Sequence, residues 1–172
     1  MTKTITQLTI LAIVLLLAQV ICSKIMLWGV AMPVVFIYVL LRLPIGTPKG
    51  WAFTIAFFMG LVVDVFNNTA GMNALAATLM MGLRKPVFYL YVLRDDDLNS
   101  PLPSTESIGA ASYLKYMVTL VIIFCALLFF IQAFTLRDFP LTLLRIGASS
   151  VLTAVLLFAI DSLMSARREE RL

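Results

Sequence analysis

Six apolar runs, joined by short polar connections, leave this chain few ways to fold. A membrane-spanning helix needs about 20 mainly apolar residues, within a range of roughly 17–25. The first run is Ile5 to Cys22, opened by Lys3 and closed by Ser23 and Lys24. The second, Val30 to Leu43, is short and holds Pro33 near its start, where a helix tolerates proline best. The third is Trp51 to Phe66, the fourth Met72 to Leu93, the fifth Ser112 to Phe134 and the sixth Phe139 to Met164. The pattern predicts one all-α integral membrane domain over residues 1–172, with six transmembrane helices (about 5–22, 30–43, 51–66, 72–93, 112–134 and 139–164) in a compact bundle. Two alternatives stay open. The second run is short for an untilted crossing. Arg84-Lys85-Pro86 interrupts the fourth, and Val87 to Leu93, with Phe88, Tyr89 and Tyr91, would suit the headgroup boundary.

Composition agrees with the runs. Hydrophobic residues make up 62% and charged residues 13% of the 172, against about 45–50% and 25% in soluble domains. The chain has no histidine, so the commonest metal ligand and the commonest general base are both missing. Cys22 and Cys125 fall in apolar runs and read as small packing residues. Ile21 stands where a small residue would precede a lipidated cysteine, and no A-x-A-like cleavage site follows the first run, which therefore reads as an uncleaved span.

Loop charge sets the orientation. With six crossings and the amino terminus inside, the cytoplasmic set is Lys3, Arg42, Lys49, Arg84, Lys85, Arg94, Lys115, Arg167, Arg168 and Arg171. The outer set is Lys24, Arg137 and Arg145. Ten against three obeys the positive-inside rule and puts both termini in the cytoplasm. If the second run failed to cross, Arg94, Lys115 and the basic tail would be pushed outside. The one sizeable polar stretch is the loop over 94–111, whose prolines and short polar residues mark a cytoplasmic segment; its Asp95-Asp96-Asp97 run reads as solvated, with recruitment of a cation or a basic partner as the alternative.

Asp64 draws attention because an ionisable group against the membrane is costly and is a functional hypothesis by default; at a helix end it reads equally as a side chain that only reaches the outer headgroups. Phe53, Phe57, Gly60 and Asp64 are spaced to share one helix face, and Gly60 lets a neighbouring backbone come close. Asn67-Asn68-Thr69-Ala70-Gly71 forms the corner to the fourth run, where Asn73, Ala77, Met80 and Arg84 line one face. Arg145 lies six residues into the sixth run, about 9 Å along it, at a depth near that of Asp64. An Asp64–Arg145 pair would lower the cost of both charges, with Asp138 as the rival partner for Arg145. Gly147, Ala148, Ser149, Ser150 and Thr153 form a small-residue patch suited to helix contact. Asp161 would face the cytoplasm or meet Arg84, Lys85 or Lys115. Asp64 and Asp161 are expected at opposite membrane faces, too far apart for an aspartyl-protease pair, which needs about 3 Å. No catalytic set, metal cluster, cofactor motif or ring of pore charges is evident.

The Gly60-x-x-x-Asp64 spacing, followed by Gly71 and an alanine- and leucine-rich helix, resembles the MreD family of bacterial rod-shape-determining membrane proteins. The resemblance covers the whole chain in hydropathy and about residues 56–86 in motif, and it departs at Asn67 to Ala70, which lacks an extra glycine. It implies a non-enzymatic scaffold of the cell-elongation machinery (the elongasome) in the bacterial cytoplasmic (inner) membrane, without cofactor or nucleic acid. Such a scaffold binds the single-span protein MreC. Through it, MreB filaments are coupled to peptidoglycan synthesis by RodA and its penicillin-binding transpeptidase, which maintains rod shape. It also implies a likeness to the six-helix substrate-binding subunits of energy-coupling-factor transporters. The competing reading is a solute-binding subunit of a vitamin-type transporter, with Asp64, Asn73 and Arg145 lining a pocket. On the scaffold reading Gly60, Asp64, Gly71, Asn73 and Arg145 set helix positions or meet the partner, among membrane lipid.

Overall fold

An apolar run away from water has to satisfy its backbone groups from within, and a helix does so residue by residue. The computed structural model describes residues 2–24, 31–92, 103, 108–132 and 139–169, with side chains over 9–23, 31–92, 103, 108–132 and 140–164. Among the described residues there are six helices and no strand. They are α1 (Thr2–Lys24), α2 (Ile37–Arg42), α3 (Lys49–Asn67), α4 (Met72–Tyr91), α5 (Ala110–Gln132) and α6 (Phe139–Glu169). Three helical stretches, Lys49–Asn67, Ala110–Gln132 and Pro140–Met164, are long and apolar enough to cross a membrane, and Thr9–Ser23 of α1 is a shorter apolar helix. That is the mark of a membrane protein.

The second run departs from expectation. It is not a helix over 30–43: residues 32–35 are irregular, and helix begins only at Ile37. Pro33 is one cause, since it has no N–H to give and disfavours helical geometry at Met32. The departure also lengthens the segment. Fourteen helical residues would rise about 21 Å, whereas five extended steps and six helical ones from Ala31 to Arg42 can reach about 25 Å. The segment lies in the middle of the molecule. None of the residues from Val34 to Leu41 is more than 5% exposed. Its neighbours are α1, α4, α5 and, through hydrogen bonds, α6.

Around it the helices follow chain order, α3 against α4, α4 against α5 and α5 against α6, with α1 also on α3. Their outward faces stay apolar, as Leu17, Val65 and Leu163 illustrate at 60%, 72% and 70% exposure. A soluble monomer rarely shows such faces on every side. Pro86 does not end the fourth helix. It is exposed, and α4 runs through it to Tyr91, so Phe88 and Tyr89 belong to the same helix as Asn73. Leu93, residues 133–134, Arg94, Asp138 and the Asp95–Asp97 triplet lie outside the described residues, while Ala110 and Ala111 of the expected loop open α5.

Candidate functional site

The corner between α3 and α4 is built from the motif residues. Gly60 is where the two backbones touch: a Cβ there would fall 2.5 Å from Ala74 Cα and 2.6 Å from Ala74 N. One turn later, Asp64 is 1% exposed and aims its carboxylate at the first turn of α4. Oδ1 accepts from the Asn73 N–H at 3.1 Å, Asn73 Nδ2 at 2.8 Å and the Thr69 hydroxyl at 2.5 Å, while Oδ2 accepts from the Ala74 N–H at 2.8 Å. Helix N-termini leave N–H groups without partners and carry partial positive charge, so a carboxylate from the adjoining helix answers both needs. The turn itself takes two left-handed residues, Asn68 (φ 55°) and Gly71 (φ 76°). Asparagine and glycine adopt that geometry at least cost. The i to i+4 spacing thus has a cause: glycine brings α4 against α3 at the level where the aspartate can cap it.

Arg145 is not part of this lock. The four donors to Asp64 come from Thr69, Asn73 and Ala74, so the expected Asp64–Arg145 pair is not formed. Phe57 also stands off the packed face at 45% exposure, whereas Ala52, Ala56, Met59 and Val63 complete it. On α4 the expected face of Asn73, Ala77, Met80 and Arg84 is buried throughout.

A second polar system holds the broken segment. Gln19 of α1 accepts the N–H of Val35 at 2.6 Å and of Phe36 at 3.4 Å through Oε1, and donates Nε2 to Pro33 O at 3.0 Å. From α6, Ser149 Oγ accepts the Met32 N–H and Thr153 Oγ1 the Val34 N–H, both at 3.1 Å. Farther on, Tyr38 donates to Asp161 Oδ1 at 2.7 Å, and Tyr113 of α5 donates to the same oxygen at 3.3 Å. The segment therefore runs parallel to α6, contacting Ser149, Thr153 and Asp161 over about 18 Å. At its far end Arg84 caps α2. Nη2 donates to Leu41 O and Leu43 O, Nε donates to Tyr116 OH at 3.0 Å, and Tyr116 donates on to Leu41 O at 3.3 Å. A cation at the carbonyl end of a helix is favourably placed. The Arg42 guanidinium lies 5.6 Å from the Tyr38 ring centre.

These positions correct two expectations. Arg84 is not a loop charge but is 1% exposed inside the bundle, and Asp161, at 7%, meets two tyrosines in place of solvent or the basic residues. Ser149, Ser150 and Thr153 of the small-residue patch face inward, two of them as hydrogen-bond acceptors, while Gly147 faces open space. The sequence reading did not single out Gln19, Tyr38, Tyr113 or Tyr116. Gln19 had a signal, as a lone amide late in an apolar run, and Ser149, Thr153 and Asp161 share one face at multiples of four.

Chemically, both systems are internal. Asp64 and Asp161 sit at opposite ends: Asp161 joins Tyr113 beside the Arg84–Tyr116 contact, and Arg84 is about 16 Å along α4 from Asn73. Among the described residues no group of three or more histidine, cysteine, aspartate or glutamate side chains gathers to hold a metal ion, and Cys22 and Cys125 are free. The chain matches no family model, no curated protein and no solved structure.

Proposed function

We propose that this chain is a non-enzymatic, six-crossing membrane scaffold of the MreD kind, seated in a bacterial cytoplasmic membrane with both termini inside. In this reading it binds a single-span partner, MreC, and helps couple MreB filaments to peptidoglycan synthesis by RodA and its transpeptidase. The corner of α3 and α4 then faces outward and the Arg84–Asp161 end faces the cytoplasm. The broken second segment crosses by being half extended, which is tolerable at membrane depth only when other protein encloses it.

One observation carries the reading: Gly60, Asp64, Gly71 and Asn73, the residues of the family-like motif, form a single helix lock whose acceptors are occupied from within. Residues built to hold a solute would keep polar atoms free to meet it. A bundle with apolar outer faces suits contact with other membrane helices.

The test is capture of the partner from the native membrane by the tagged chain, together with cell shape on depletion. Copurified MreC and rounded cells are expected. Gly60→Leu, which drives a side chain into the α4 backbone, should lose capture while still inserting. A small molecule retained through purification, with no single-span protein bound, would replace this reading with that of a solute-binding subunit.

A further inference from the structure

Pro86 stands well inside α4 and has no N–H to give, so the Gly82 carbonyl, four residues before it, loses its helix partner. Gly82 and Pro86 are both exposed, so the gap opens outward and not into the bundle. The side-chain donors nearest to it along α4 are committed elsewhere. Thr78 donates to Ala74 O, Lys85 to Thr47 O, and Arg84 to Leu41 O and Leu43 O. Gly82 lies about 15 Å along α4 from Met72, midway down a helix about 30 Å long. On the six-crossing reading this depth is hydrocarbon, where a carbonyl short of a donor is costly.

The carbonyl belongs to a face shaped for another helix. Leu75, Leu79, Gly82 and Pro86 follow a four-three-four spacing on α4, and all four are exposed. Gly82 is the low point of that face. Within 4 Å a Cβ there would meet only the Phe53 ring of α3, at 3.6 Å, so a second backbone can lie over the bare glycine. Freed groups beside a proline in membrane helices are re-satisfied by side chains, ordered water or neighbouring helices, and here no helix of this chain covers the place.

We propose that this face docks the membrane-spanning helix of a second protein, which presents a neutral side-chain donor, an amide or a hydroxyl, to Gly82 O. The proposal rests on the scaffold reading for the crossing of α4 and for a partner within the membrane. Hydrogen-bond complementarity chooses the occupant. Lipid tails carry no donor, and headgroup donors lie at the edges of the layer, away from this depth. Two copies of this chain meeting face to face would bring Leu75, Leu79, Gly82 and Pro86 together, none of which has a side-chain donor.

The experiment uses the full chain with Cys22→Ala and Leu75→Cys in lipid nanodiscs. The probe is a leucine–alanine single-span helix with one Asn at mid-depth and one cysteine seven residues before it, the interval from Leu75 to Gly82. A control helix has Leu in place of the Asn. The Asn helix should form the disulfide about threefold faster than the Leu helix. Pro86→Ala, which gives Gly82 O back its helix N–H at an exposed position, should erase the difference. Gly82→Leu, which raises the low point of the face, should erase it as well and keeps the test decisive if Pro86→Ala alters the helix. Four results would each overturn the docking face: equal rates for both helices, a preference that survives Pro86→Ala, a preference that survives Gly82→Leu, or disulfides between two copies of the chain outpacing those to the Asn helix. The probe contains no MreC sequence. Its failure would remove this face and leave the scaffold, whereas no capture of MreC by the unaltered chain would remove the scaffold and leave the probe result standing.

Discussion

The two polar systems solve the same problem in different ways. At the corner, Asp64 meets partners five to ten residues away, and a single carboxylate answers a helix start that its own glycine has brought near. In the second segment, backbone groups between Met32 and Leu43 depend on side chains 14 to 119 residues away, from α1, α4, α5 and α6. The corner closes on itself once two helices touch. The broken segment is stable only after the rest of the bundle has formed around it. Local polar contacts shape a hairpin, and distant ones commit the whole fold.

Four substitutions sharpen this contrast, each read by reversible unfolding in mixed micelles. Gln19→Leu should cost most, about 4 kcal/mol, because it leaves Val35 N–H, Phe36 N–H and Pro33 C=O without partners away from water. Asp64→Ala should cost about 3 kcal/mol, since it frees two helix-start N–H groups and the Asn73 amide. If the order of these two reverses, the broken segment does not depend on its distant supports as described. Thr153→Val, which removes the acceptor for the single Val34 N–H while keeping shape, should cost about 2 kcal/mol. Gly71→Ala should cost about 1 kcal/mol, from backbone strain alone, because a Cβ there meets open space. A much larger loss at Gly71 would mean that the turn touches something besides α3 and α4.

The same contrast explains what could be read from the chain. Apolar run length sufficed for α1, α3, α5 and α6 because period and composition are local properties. The motif around Gly60 and Asp64 stood out for the same reason, since cause and effect lie within one hairpin. The Asp64–Arg145 pairing failed because depth alone favoured it, and depth cannot say that four nearer donors will fill the carboxylate first. The second run misled more deeply. Its apolar content and early proline fitted a short helix, and nothing between Val30 and Leu43 reveals that Gln19, Ser149 and Thr153 will offer its backbone other partners. Arg84 looked like a loop charge because Lys85 and Pro86 follow it. Its burial becomes intelligible only once the carbonyl end of α2 is known to lie beside it.

Amide hydrogen exchange across residues 32–36, on the full chain in nanodiscs, bears most directly on whether the buried polar groups here serve internal support. Exchange at Met32, Val34, Val35 and Phe36 should be as slow as within α4, and Gln19→Leu should release Val35 and Phe36 while the corner amides of Asn73 and Ala74 stay protected. Exchange in the unaltered chain as fast as in an unstructured peptide would contradict the account. The segment would then line a wet cavity, with its polar groups open to a solute.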